Sequence, residues 1–87
     1  MNTLIVHHHV RDYEAWRPAY DKHEPVRSSA GLSPGRVFRA ADDPNDLVIL
    51  FDVADKERAR AFADSEDLKQ IMQRAGVEGR PEMYLVG

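Results

Sequence analysis

Eighty-seven residues, 43% hydrophobic and 31% charged, suit one small globular domain and exclude an intrinsically disordered chain. A net charge of −3 with no basic stripe argues against nucleic acid as a partner, and the absence of cysteine removes disulfides and thiol nucleophiles. The longest apolar run is too short to cross a bilayer and the N-terminus lacks a signal-peptide pattern, so a cytoplasmic protein without a membrane partner is expected.

Thr3–Val10 reads as the first strand, apolar on both faces at Leu4-Ile5-Val6. The three histidines that follow lie inside this strand, not at a terminus, and are treated as native. Asp12 is a good N-cap for a helix starting at Tyr13, whose Tyr13, Trp16, Tyr20 and His23 or Glu24 share one face. Pro18 should bend this helix, and Pro25 should bend it again or break it before Val26–Ala30. Gly31 is a plausible C′ residue, with Ser33-Pro34-Gly35 as the exit.

Arg36–Ala40 is a short second strand, and the turn formers Asp42-Asp43-Pro44-Asn45-Asp46 join it to a third, Leu47–Val53. This third strand is apolar at nearly every position, which marks a central strand buried on both faces. Asp55 caps a second helix carrying Ala59, Phe62 and Ala63 inward, and Ser65 signals a break and restart before Leu68, Ile71, Met72 and Ala75. Gly76 stops it, and Gly79-Arg80-Pro81 leads into a last strand, Glu82–Val86.

The order is βαββαβ. It predicts an α+β, ferredoxin-like fold: one domain over residues 1–87, a four-stranded antiparallel sheet with two helices on one face, and strands one and three central. Two helices cover one face of that sheet only. The other face would be an apolar patch of a kind soluble monomers avoid, so a homodimer with its sheets packed face to face is expected.

His8-His9-Val10-Arg11-Asp12-Tyr13 with Trp16, Tyr20-Asp21-Lys22-His23-Glu24, Asp42-Asp43-Pro44-Asn45 and Ala75-Gly76-Val77 with Pro81 carry a resemblance over essentially the whole chain. The sequence resembles the dimeric α/β-barrel superfamily, which includes antibiotic biosynthesis monooxygenase-like proteins and small bacterial proteins labelled cyclases. The resemblance implies a dimeric α/β barrel holding a small, often aromatic ligand in its interior or beside its helices. Catalytic residues vary among members, so none is carried over.

His7 and His9 lie two apart on a strand and share a face with Ile5. They are candidate general bases for cofactor-independent oxygenation of a phenol or for a cyclase, with Tyr84 or Asp52 as an orienting partner and His23 as a further candidate base. No cofactor is expected. The same two histidines at that spacing could reach one metal, with Asp52 as the only obvious third ligand, but no carboxylate cluster supports a dedicated site. His8 points the other way and should meet the first helix near Tyr13 or Trp16, as a structural histidine hydrogen-bonded to a backbone carbonyl. Those two aromatics are read first as core packing and second, with His23, Asp52 and Tyr84, as ligand contacts. His23 and Arg27 fall on the far half of the helix, a solvated position. Asp52, alone among apolar neighbours, would pair with Arg39 across the hairpin or face a buried site. The leading reading is a homodimer that binds a small apolar or aromatic molecule, with monooxygenase or cyclase activity. Its rivals are a non-catalytic ligand-binding or stress-related dimer and a metal-binding protein.

Overall fold

Alternation decides the first strand. In the computed structural model, which describes residues 2–33 and 35–87, β1 (Asn2–Val10) buries Leu4, Val6, His8 and Val10 and turns Thr3, Ile5, His7 and His9 to the other face. A helical arm follows in two pieces, α1 (Tyr13–Lys22) and α2 (Glu24–Ser29), broken at His23. Pro25 lies at the start of the second piece, where its missing N–H costs least. Asp12 caps α1 by accepting from the Glu14 N–H at 3.1 Å, and Gly31 leaves the arm with φ +81°, a conformation that favours glycine. Pro34, expected in the exit, lies outside the described residues.

The sheet continues with β2 (Arg36–Ala40), β3 (Asp43–Val53) and, after helices α3 (Lys56–Ala63) and α4 (Glu66–Arg74), β4 (Val77–Val86). All pairings are antiparallel in the order β2-β3-β1-β4, with β1 and β3 central. Asp55 caps α3 through the Glu57 and Arg58 N–H groups, and Ser65 caps α4 through Leu68 N–H. These caps explain why the second helical region is two helices and not one.

Two boundaries differ from the sequence expectation. Residues 42–46 do not form the hairpin loop: the turn is only Ala41-Asp42, Ala40 faces Asp43, and the next pair is Arg39 with Leu47. Pro44, Asn45 and Asp46 therefore bulge out of the β2 ladder while Asp46 keeps its place opposite His9 on β1. Asn45 uses that bulge to accept the Tyr13 N–H at 2.8 Å, fastening the start of α1. The last strand begins at Val77, not Glu82, and Gly79 (φ +69°) lets its ladder slip between Glu78 opposite His9 and Glu82 opposite His7.

The core lies between the sheet and the helices: Leu4, Val6, Leu47, Ile49, Phe51 and Val53 from the central strands, with Trp16 and Ala59 from the helices. Gly35 is required there for space. A β-carbon at Gly35 would collide with the Tyr20 hydroxyl and come within 2.6 Å of Phe51 Cε1 and 3.0 Å of Ile49 Cγ2. Gly35→Ala is expected to lower stability by about 1–3 kcal/mol, the usual range for overpacking. Urea unfolding checks this, and a wild-type midpoint would refute the close packing.

No helix among the described residues is long and apolar enough to cross a membrane.

Candidate functional site

The helical arm repeats an aromatic or basic residue on one face: Trp16, Tyr20, His23 and Arg27. Packing that face on β1 and β3 lines up rings. Trp16 stacks on Tyr20 with centroids 4.7 Å apart, and His8 meets the Trp16 edge at 5.7 Å. The Arg27 guanidinium carbon lies 3.8 Å above the Tyr20 ring. Between this arm and α4 the helices leave a cleft of about 70 Å³ over the sheet. Its arm side is Trp16, Ala19, Tyr20, His23, Val26 and Arg27, and its floor includes Val6, His8, Ile49 and Phe51. Phe62, Leu68, Ile71 and Met72 close the far side.

The polar groups here are unusual. Among the described residues nothing hydrogen-bonds the buried His8 Nδ1, expected to meet a backbone carbonyl, nor the buried Tyr20 hydroxyl and Arg27 Nε. Burial pushes the His8 imidazole down to about 4, raises the Tyr20 phenol and lowers the Arg27 guanidinium. His8 is therefore a neutral imidazole at pH 7. A larger groove of about 680 Å³ runs between α3, α4 and β4, rimmed by Arg60, Lys69 and Arg80, and shares Leu68, Met72 and Met83 with the cleft.

The opposite sheet face carries a different arrangement. His7 lies between Asp46 (Nε2 at 2.8 Å) and Glu82 (Nδ1 at 3.2 Å), and His9 between Asp43 (Nε2 at 3.1 Å) and Glu78 (Nδ1 at 2.8 Å). Both histidines titrate above their ordinary value, His7 chiefly through the Asp46 hydrogen bond and His9 chiefly through that of Glu78. A neutral imidazole has one donor, so a ring with a carboxylate on each nitrogen is favoured as imidazolium and has no free lone pair. Tyr84 belongs to this ladder, its hydroxyl donating to Glu82 at 2.8 Å.

The sequence candidates thus separate. Trp16 and His23 line the cleft with His8. Tyr13 packs beside Trp16 at 5.8 Å, under the Arg39 guanidinium. His7, His9, Asp52 and Tyr84 face away. Asp52 is exposed opposite Thr3, far along the strand from His7, and so cannot complete a metal set with it. It does not pair with Arg39 either: Arg39 sits opposite Leu47, and its Nε donates to the Pro44 carbonyl at 2.9 Å. No group of three or more His, Asp or Glu among the described residues is arranged to hold a metal ion. Arg27, expected in solvent, is only 8% exposed. The 16–20–23–27 spacing was the signal for it, hidden by the proline that suggested the face had ended.

No protein-family model and no curated protein matches the sequence. Solved structures do match the fold. A candidate antibiotic biosynthesis monooxygenase of Bordetella bronchiseptica superposes with a TM-score of 0.78 at 13% identity, covering 99% of this chain and 94% of that one. One from Nitrosomonas europaea gives 0.70 at 20% identity, covering 100% and 97%. SnoaB, a cofactor-independent oxygenase of Streptomyces nogalater in its N63A form, gives 0.72 at 16% identity, covering 99% and 90%. The chain therefore has the ferredoxin-like fold of the antibiotic biosynthesis monooxygenase-like proteins.

Proposed function

From this shared fold and the chemistry of the cleft, we propose that the chain binds a small aromatic molecule between its helices and its sheet and acts as a cofactor-independent oxygenase of phenolic substrates. One observation carries the reading: three buried polar atoms, on His8, Tyr20 and Arg27, have no partner among the described residues and lie on side chains lining a cleft of aromatic and aliphatic groups. Buried polar groups are ordinarily paired, so three orphans in one place mark where a ligand's polar atoms belong.

Neutral His8 accepts a hydrogen bond from the phenolic hydroxyl. It is uncharged in the free protein, but a phenolate forming beside it and near the Arg27 guanidinium raises its proton affinity, so that proton transfer gives an imidazolium–phenolate pair electron-rich enough to meet dioxygen directly. Oxidation of a methylene between two aromatic rings then consumes one O₂. One oxygen atom becomes the new carbonyl and the other leaves as water with the two methylene hydrogens. A cyclase would use the same base without oxygen, and a purely binding protein would use the cleft alone. Oxygen uptake with an anthrone-type phenol, which needs the cleft opened past Met72 and Met83 into the larger groove, separates the three. Turnover is expected in wild type, with kcat reduced about 100-fold in His8→Gln, the lower range for losing a general base. His7→Ala and His9→Ala should keep wild-type turnover. Unchanged kcat in His8→Gln would remove His8 as the base.

The working unit is a cytoplasmic homodimer. Ile5, Val48 and Leu50 of the central strands, with Phe38, Tyr84 and Val86 beside them, share the sheet face that no helix covers. Phe38, Tyr84 and Val86 are about half exposed there. A second copy laid sheet to sheet buries this strip and closes the barrel.

A further inference from the structure

We propose that the ligand of the cleft is an aromatic acid, held through its carboxylate by the Arg27 guanidinium. The inference rests on the cleft being a ligand site, and adds the charge and class of its occupant.

Arg27 is buried, yet no carboxylate among the described residues lies within ion-pair distance of it. Asp21 and Glu24 on the same arm favour its charge from a distance, but Asp21 is bonded to Arg17 at 3.1 Å. What Arg27 does touch are the Tyr20 ring face, the Phe51 ring at 5.9 Å, and the Tyr20 carbonyl, which accepts from Nη1 at 2.8 Å. These contacts satisfy one donor and part of the charge. Nε remains without a partner. Guanidinium does not escape by losing its proton, because it stays charged in proteins. A buried cation left unneutralised in the free protein is a standing penalty that an incoming anion removes.

The surroundings select the anion. Among the described residues Arg27 is the only Arg or Lys lining the cleft, and His8 is neutral there, so a single negative charge on the ligand matches it. The planar fork of a guanidinium matches a planar carboxylate through two parallel N–H···O bonds. Trp16, Tyr20, Phe51 and Phe62 offer ring faces and edges to the rest of the molecule. At about 70 Å³ the cleft admits a ring only when a neighbour moves, and Met72 and Met83, flexible side chains on the wall shared with the larger groove, are the ones to do so.

Trp16 is the only tryptophan and lies in the cleft, so its fluorescence reports this site alone. Titration of wild type with phenylacetate and benzoate, against phenylacetamide and benzamide, is the decisive comparison. The acids are expected to bind about 30-fold more tightly than the amides, the effect of one charge-assisted pair. Arg27→Met should erase the difference, Arg27→Lys should keep part of it, and unliganded Arg27→Met should melt at or above the wild-type temperature because it removes an unneutralised charge. Equal binding of acids and amides, failure of any acid to bind, or an acid preference surviving in Arg27→Met would overturn the proposal. The wild-type comparison decides it even if the methionine variant does not fold. Acid binding without oxygen uptake would leave this inference standing and remove the oxygenase reading; turnover of neutral phenols without acid preference would do the reverse.

Discussion

Lowering the pH from 7 to 4 is expected to remove roughly 3 kcal/mol of folding stability through His8 alone, the free energy equivalent of its displacement from 6.5 to about 4. The sign follows from proton uptake. Below pH 6.5 the unfolded chain binds a proton at His8, and the folded chain refuses it until the pH approaches 4. Stability therefore falls across that window and flattens beneath it. His7 and His9 act in the opposite sense, because their folded values are raised: what they contribute is fully present below pH 6.5 and fades as the pH rises through their folded values. In the single chain their rings are about two-fifths exposed, so solvent screening keeps that contribution small there. Urea unfolding at several pH values, compared between wild type and His8→Asn, isolates the effect. The variant should lose most of the slope between pH 6.5 and 5, a range in which the carboxylates have barely begun to titrate. A slope equal to that of wild type would show that His8 can be charged inside the fold.

Replacing Ile5 by Glu is expected to break the proposed sheet-to-sheet dimer, raising its Kd about 1000-fold, equivalent to about 4 kcal/mol. Ile5 stands at the middle of the uncovered face, between Leu50 on β3 and Tyr84 on β4. Face-to-face packing would bury two copies of the new carboxylate near the symmetry axis, where each would lose water and repel the other. The helices pack on the other face, so circular dichroism and ligand-induced quenching of Trp16 should survive. Sedimentation equilibrium at micromolar concentration reads the outcome. An unchanged association constant would place any interface elsewhere, and a monomeric wild type would dispose of the sheet-to-sheet arrangement altogether.

Periodicity and capping residues made most of the fold legible. The doubly apolar runs of β1 and β3 named the central strands, and Asp12, Asp55 and Ser65 announced three helix starts, because a side-chain oxygen at that position satisfies donors the helix cannot. The failures are as physical. Asp42 to Asp46 has the composition of a loop, but an interstrand ladder with β1 holds Asp46 in register while β2 turns away earlier, and composition carries no record of a partner strand. Gly79 and Pro81 look like a strand boundary and are instead the slip in a longer strand. The candidate site was half visible. Alternation turns His8 inward and His7 and His9 outward, and two like residues on one strand face are what suggest a site there. Nothing in the sequence said that four carboxylates from neighbouring strands would already occupy their nitrogens.

That three-histidine run has a consequence for the molecule's electrical balance. One pleat inserts a ring that sheds its proton and flanks it with two that hold theirs more firmly. Near the isoelectric point of 5.7 expected from composition, ordinary histidines are already mostly charged, so His7 and His9 have little left to gain while His8 forfeits nearly a whole charge. The folded chain therefore reaches electroneutrality at a lower pH than the same residues do unfolded.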